Sequence, residues 1–226
     1  MREIVIDTET TGLNFRSGDR IIEVGCVELI NHVSTNNTLQ FYCKTDKEIS
    51  ESAKKVSGIS NEFLKDKKTF EENHQKLLSF IKNDVLIIHN SDFDMGFLNN
   101  ELSIIGKPPL KNKVIDTVSL ARKVLNTRIA NLDYLCRRFN IDLSERKLHG
   151  ALLDSRLLAE VYLELRGGKQ FSMDLNQKEL KKDSNKKNKL NSPSKTTKLQ
   201  PTQEEIRLHK EMIKDIKDAF WNKNLY

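Results

Sequence analysis

Three apolar, β-favouring runs stand close together at the start of the chain, and everything after them alternates helix with strand. Ile4-Val5-Ile6 ends at acidic residues, 20–30 is rich in Ile, Val and Cys, and 38–45 alternates with aromatic and β-branched side chains. Their short connections predict an antiparallel meander. Leu77, Leu78 and Ile81 share one face of a predicted helix over 70–82, and Val85-Leu86-Ile87-Ile88 is a buried strand by composition. Helices are predicted over 93–105, 118–125, 132–139 and 151–165, with a short strand at Val114-Ile115; Gly167-Gly168 stops the last helix. Strands first and alternation afterwards imply a mixed sheet flanked by helices. The sequence carries no internal repeat.

Residues 1–168 therefore form one globular unit, a size that suits a single core. The net charge of +6 points to nucleic acid until it is located. Residues 1–176 and 201–226 are each balanced, and the whole excess lies in 177–200, where eight lysines face only Glu179 and Asp183. A uniformly basic binding domain is excluded, so any nucleic-acid chemistry of the first part needs a local site. Residues 177–200 are too poor in apolar side chains to offset the entropy of ordering, and are expected to be a disordered basic linker. After it, Thr202-Gln203-Glu204-Glu205 fits a capping box, and Ile206, Met212, Ile213, Ile216, Ala219 and Phe220 follow at helical spacing. An amphipathic helix over 201–226 on a flexible tether is expected to dock on another protein, with a tail folding back on its own domain as the alternative. No stretch reaches the roughly 18 apolar residues of a membrane span. The start runs straight into a strand pattern with no apolar leader, which argues against a secretory signal. Cys26, Cys43 and Cys136 are odd in number and widely spaced, consistent with a reducing cytoplasm.

Three clusters carry chemistry. Asp7 and Glu9, two apart on a strand, face the same way and repel unless a proton or cation intervenes; alone, the pair is equally a solvated strand end. His89-Asn90-Ser91-Asp92-Phe93-Asp94 follows the buried strand, where ligands bind in such sheets. Here Asp92 suits a helix cap better than Asp94 does, and His89 fixes the loop rather than binding metal. His149 precedes the last helix, and Asp154 interrupts that helix on its apolar side, where an acid needs a partner or a metal. Four carboxylates favour Mg²⁺ or Mn²⁺ over Zn²⁺.

Asp7-Thr8-Glu9-Thr10-Thr11-Gly12, His89-Asn90-x-x-Phe93-Asp94 and His149-x-x-x-x-Asp154, in this order, resemble the three motifs of the DnaQ-like, DEDD-type 3′→5′ exonucleases, in the histidine-containing branch. Ile21-Ile22-Glu23-Val24-Gly25 and Asp116-Thr117 extend the likeness over residues 2 to about 168. The resemblance implies a ribonuclease-H-like fold with a five-stranded mixed sheet. It implies two divalent ions bridged by Asp7, with Glu9 and Asp154 on the first, Asp94 supporting the second, and His149 accepting the proton of the attacking water. By the same resemblance, Thr10 and Leu13 cradle the terminal nucleotide beside Asp7, Glu9 and Asp154; Phe93 could pack there too or belong to the core. Members often read Val-His-Gly-Ile where this chain has Val56-Ser57-Gly58-Ile59, and an acid where it has Ser52. Ser52 and Ser57 are thus the substrate-contact candidates of that loop.

Within the family the chain looks like the proofreading, or epsilon, class of the bacterial replicase DNA polymerase III. That likeness implies a DNA 3′ end as substrate, the replicase's catalytic (alpha) subunit as partner, and a theta-type subunit and the beta sliding clamp as further partners. Residues 169–176 hold Gln170, Phe171, Ser172, Met173, Asp174 and Leu175, which resemble a short clamp-binding motif; Gln170, Ser172, Met173 and Leu175 are its candidate contacts. Ile216, Phe220 and Trp221 are the candidate polymerase anchors. Two other functions compete: an RNA 3′-end-trimming exonuclease with the same metal site, and a non-catalytic assembly subunit.

Overall fold

The structure is a computed structural model and describes residues 1–146, 148–167 and 202–214. The chain divides into two units, Met1–Leu175 and Asn176–Tyr226. In the first, β1 (Arg2–Thr10), β2 (Ile21–Ile30) and β3 (Val33–Tyr42) form the antiparallel meander. Two short helices follow, α1 (Glu51–Ser57) and α2 (Asn61–Leu64), then α3 (Phe70–Ile81), β4 (Val85–Ile88), α4 (Ser91–Ile104), β5 (Val114–Asp116), α5 (Thr117–Leu125), α6 (Leu132–Arg138) and α7 (Ala151–Leu165). The sheet has five strands in the order β3-β2-β1-β4-β5, with β4 and β5 parallel to β1. The expected ribonuclease-H-like mixed sheet is therefore present. α1 and α2 are additions to the elements the sequence predicts. The second unit is described by α8 (Gln203–Lys214), whose expected capping box is present: the Thr202 hydroxyl accepts from the Glu205 N–H (3.3 Å), and the Glu205 carboxylate accepts from the Thr202 N–H (2.7 Å).

Strand parity divides the core. Ile4 and Ile6 of β1 face a cluster with Leu77, Ile81, Phe97 and Leu98 on the α3/α4 side. Val5 faces the opposite cluster, with Leu135, Leu158, Val161 and Tyr162 on the α6/α7 side. The alternation of side chains along a strand dictates this division. Glu3 shares the Val5 face and is fully buried; its carboxylate accepts from the Tyr162 hydroxyl (2.9 Å) and contacts His32 Nδ1 (2.7 Å) at the β2–β3 turn. Cys26, Cys43 and Cys136 are buried and unpaired. Among the described residues no helix is long and apolar enough to cross a membrane.

One contact fixes where α7 begins. A Cβ on Gly25 of β2 would stand 2.2 Å from the Ala151 carbonyl carbon and 2.3 Å from the Leu152 nitrogen. The backbone of the first turn of α7 lies directly on the strand, an approach only glycine permits. The Ser155 hydroxyl donates to the Gly25 carbonyl (3.0 Å), and the buried Glu23 carboxylate accepts from the Ala151 N–H (3.2 Å). Gly25→Ala is expected to cost about 1–3 kcal/mol by overpacking. Gly150→Ala, with nothing within 4 Å of the added methyl group, costs less. Urea unfolding of the two variants side by side checks the order.

Candidate active site

Parity continues past the core. Asp7 and Glu9 lie on the Val5 face of β1, towards α7, opposite Gly25 and Glu23 in the β1–β2 register. Thr8 lies on the other face, where its hydroxyl donates to Asp94 of α4 (2.7 Å). Asp94 is buried, and its helix is tied to the start of β2 by a bidentate pair between Arg20 and the buried Glu101 (2.7 and 2.6 Å). α4 begins earlier than the sequence suggests: its N-cap is Asn90, in a left-handed conformation, and Asp92 is an exposed residue of the first turn rather than the cap. The His89 loop is held as expected, by a contact between His89 Nδ1 and the Thr117 hydroxyl (2.9 Å). The Asp116 carboxylate also accepts from the Asn90 N–H there (3.1 Å).

Asp154 stands in the first turn of α7, buried against β1. Ligand atoms of Glu9, His149 and Asp154 lie within 4.8 Å of one another. His149 is positioned by three contacts: its backbone N–H donates to the Val56 carbonyl at the end of α1 (3.0 Å), and its Nδ1 is 3.2 Å from Asp154 Oδ2 and 2.9 Å from Arg146 Nη2. A cavity of about 260 Å³ opens here, lined by Asp7, His89, Asp133, Arg146, His149 and Asp154 among others. His89 thus borders the site as well as bracing its loop.

The other predicted substrate contacts divide. Leu13 is 84% exposed in the loop after β1, so its apolar side chain is open to a ligand. The Thr10 hydroxyl is engaged with the Gly12 carbonyl (2.6 Å). Ser57 is buried, its hydroxyl donating to the Ala53 carbonyl (3.0 Å) and accepting from the Ile59 N–H (3.3 Å), which directs it into its own helix. Ser52 is exposed and contacts Ser50. Phe93 packs on Phe97, with ring centroids 4.8 Å apart, in the α4-side core. The clamp-like residues Gln170, Ser172, Met173 and Leu175, the linker, and the anchors Ile216, Phe220 and Trp221 lie outside the described residues.

Three residues of the site, Glu23, Asp133 and Arg146, escape the sequence analysis. Glu23 faces Glu9 across β1–β2 and secures α7. Arg146 grips Asp154 through Nε (2.7 Å) and Nη2 (2.6 Å), and also pairs with Asp133. Glu23 lies in a segment that extends the family likeness, but its role needs the register. Arg146, three residues before His149, carries no periodic signal.

Crowded carboxylates set the electrostatics. Burial, then Asp94, Glu9 and Asp154, raise the Asp7 pKa well above the ordinary range. Burial, followed by Asp154 and Glu23, pushes Glu9 up to about 7. Burial pushes Asp94 up to about 7 against the bonds from Thr8. Burial also raises Asp154, but hydrogen bonds from Arg146 and His149 outweigh it and leave that acid below its usual value. His149 is raised, first by its bond to Asp154. Four oxygen-donor acids with a shortage of positive charge form a donor set suited to hard divalent cations.

These shifts carry a sign. Glu9 and Asp94 hold protons in the folded state that they release in the unfolded state, so their contribution to stability is lost as pH rises through about 7. Asp154, shifted the other way, acts only in acid. In a chelator, the melting temperature is expected to fall by several degrees between about pH 4.5 and about pH 7.5, and added Mg²⁺ should restore it. A chelator melt that is flat across this window contradicts the assignment.

The family of exonucleases matches residues 4–162 by sequence pattern. The DNA polymerase III subunit epsilon of Rickettsia felis is 42% identical over 222 residues, covering 96% of this chain and 97% of the relative. That of Escherichia coli K12 is 45% identical over 180 residues, 76% of this chain and 74% of the relative. Among solved structures, the nuclease domain of 3′hExo, described as a DEDDh family member bound to rAMP, superposes with a TM-score of 0.64 at 20% identity over 73% of this chain and 90% of that one. Exonuclease X in complex with 5′ overhanging duplex DNA gives 0.58 at 22% over the same shares. These two show the fold. By the family match over most of its length and by the identity to these relatives, the chain belongs to the DnaQ-like family of 3′→5′ exonucleases, in the line of the DNA polymerase III epsilon subunits.

Proposed function

We propose that the chain hydrolyses the 3′-terminal phosphodiester bond of DNA within a bacterial replicase, releasing a deoxynucleoside monophosphate and so removing mismatched ends. The observation that supports this reading is the approach of Glu9, His149 and Asp154 to one another, with Asp94, Glu9 and Asp154 all near enough to Asp7 for their charges to raise its pKa. Asp7, Glu9, Asp94 and Asp154 are the residues that would hold a pair of divalent cations, Mg²⁺ or Mn²⁺. When bound, such a pair supplies positive charge to both the attacking and the leaving oxygen of an in-line displacement. His149 acts as the general base. In the tautomer whose Nδ1–H donates to Asp154, Nε2 is left without a proton and accepts one as water attacks phosphorus and the bond to the preceding 3′ oxygen breaks. Leu13, exposed in the loop after β1, would offer an apolar surface to the terminal base. A frayed end is the substrate because unpairing is cheapest there.

The name of the relatives supports association with DNA polymerase III. Docking on its catalytic subunit is proposed for the tail, where α8 carries an exposed Met212 and Leu208. The clamp-like residues 170–175 would engage the beta clamp, and a theta-type subunit is a further proposed partner. A cytoplasmic site of action follows from that assembly.

Release of dNMP from a 3′-mismatched primer tests the reading. Asp7→Asn is expected to abolish release, and His149→Gln to lower it roughly 10²–10⁴-fold. Undiminished release by Asp7→Asn overturns the assignment. Faster loss of an RNA end than of a DNA end transfers the enzyme to RNA trimming.

A further inference from the structure

Two positive claimants converge on a single carboxylate. Arg146 Nε donates to Asp154 Oδ1 (2.7 Å) and Nη2 to Oδ2 (2.6 Å), so both oxygens of Asp154 are engaged by one planar fork. The same Nη2 is 2.9 Å from His149 Nδ1. Yet Asp154, with Glu9 and His149, also belongs to the cluster that could hold a metal ion. A bidentate guanidinium grip is among the strongest contacts a carboxylate makes, and an ion binding at Asp154 must displace or share it. The guanidinium has a second place to go. Its Nη1 already pairs with Asp133, in the first turn of α6, whose side chain is 47% exposed, whereas those of Arg146 and Asp154 are 7% and 5% exposed.

We infer that Arg146 is a positioning residue that serves as the site's resident counter-ion. Without divalent metal it neutralises Asp154 and fixes it beside His149. On metal binding it gives up Asp154 and stays on Asp133. Removal of the guanidinium takes away a competitor and a repelling charge, so the ion binds more tightly. Removal of the Asp133 charge takes away the retreat, so the ion binds more weakly. By reciprocity, a metal that loosens the grip of Arg146 is itself weakened by that grip to the same degree.

This inference rests on Asp154 as a metal ligand. Mn²⁺ binding to the full chain, without DNA and followed by electron paramagnetic resonance of the free ion, separates the two. Arg146→Gln is expected to tighten Mn²⁺ binding roughly tenfold, Arg146→Lys to give an intermediate value, and Asp133→Asn to weaken binding. The double variant should match Arg146→Gln, because Asp133 acts through Arg146. Melting gives a second readout: Arg146→Gln should melt lower than the wild type in chelator, with the difference closing at saturating Mn²⁺. Unchanged or weaker Mn²⁺ binding by Arg146→Gln overturns the counter-ion role, and a raised KM for primer alongside it would assign the guanidinium to the substrate phosphate instead. Mn²⁺ binding that survives intact in Asp154→Asn overturns the ligand assignment and the inference together.

Discussion

The approach of α7 to the sheet at Gly25 governs the geometry of the rest. No side chain intervenes between that strand and the first turn of the helix, so α7 cannot shift without loss of the Ser155–Gly25 and Glu23–Ala151 bonds. Because Gly25 is the register partner of Asp7, the same contact sets Asp154 and His149 beside the end of β1. A structural close approach on the neighbouring strand thereby determines whether acids from distant segments meet. Glu23 completes the arrangement at the expense of a like charge facing Glu9, which helps to raise the Glu9 pKa.

The site is unfavourable for the bare protein, and the chain manages this by partial neutralisation. Asp7, Glu9 and Asp94 retain protons at higher pH than ordinary acids, and Asp154 instead stays ionised against Arg146. Each of these compensations would oppose entry of the proposed cations and would be replaced by them on binding. Strong cation binding and a stable metal-free fold therefore pull the same residues in opposite directions.

Much of this was legible in the chain. The apolar run Ile4-Val5-Ile6 continued by Asp7-Thr8-Glu9 states both the strand and the face of each carboxylate, because alternation is a local rule. Asp154 stands out as a charge among leucines at helical spacing. The short helices α1 and α2, of seven and four residues, leave too few positions for a period to show. Arg146 and Asp133 were hidden for another reason: their pairing depends on how the segment between α6 and α7 folds back, which no spacing encodes. Ser57 shows the reverse problem. Its position in the motif suggests a substrate contact, but its hydroxyl is engaged within α1.

The convergence of four acids on paired cations is tested most directly by a crystal structure of the chain grown with Mn²⁺ and recorded at the manganese absorption edge. Two anomalous peaks among the carboxylates of Asp7, Glu9, Asp94 and Asp154, about 3.5–4 Å apart, are predicted. Fully occupied Mn²⁺ elsewhere on the protein, with no peak between these carboxylates, would contradict the account.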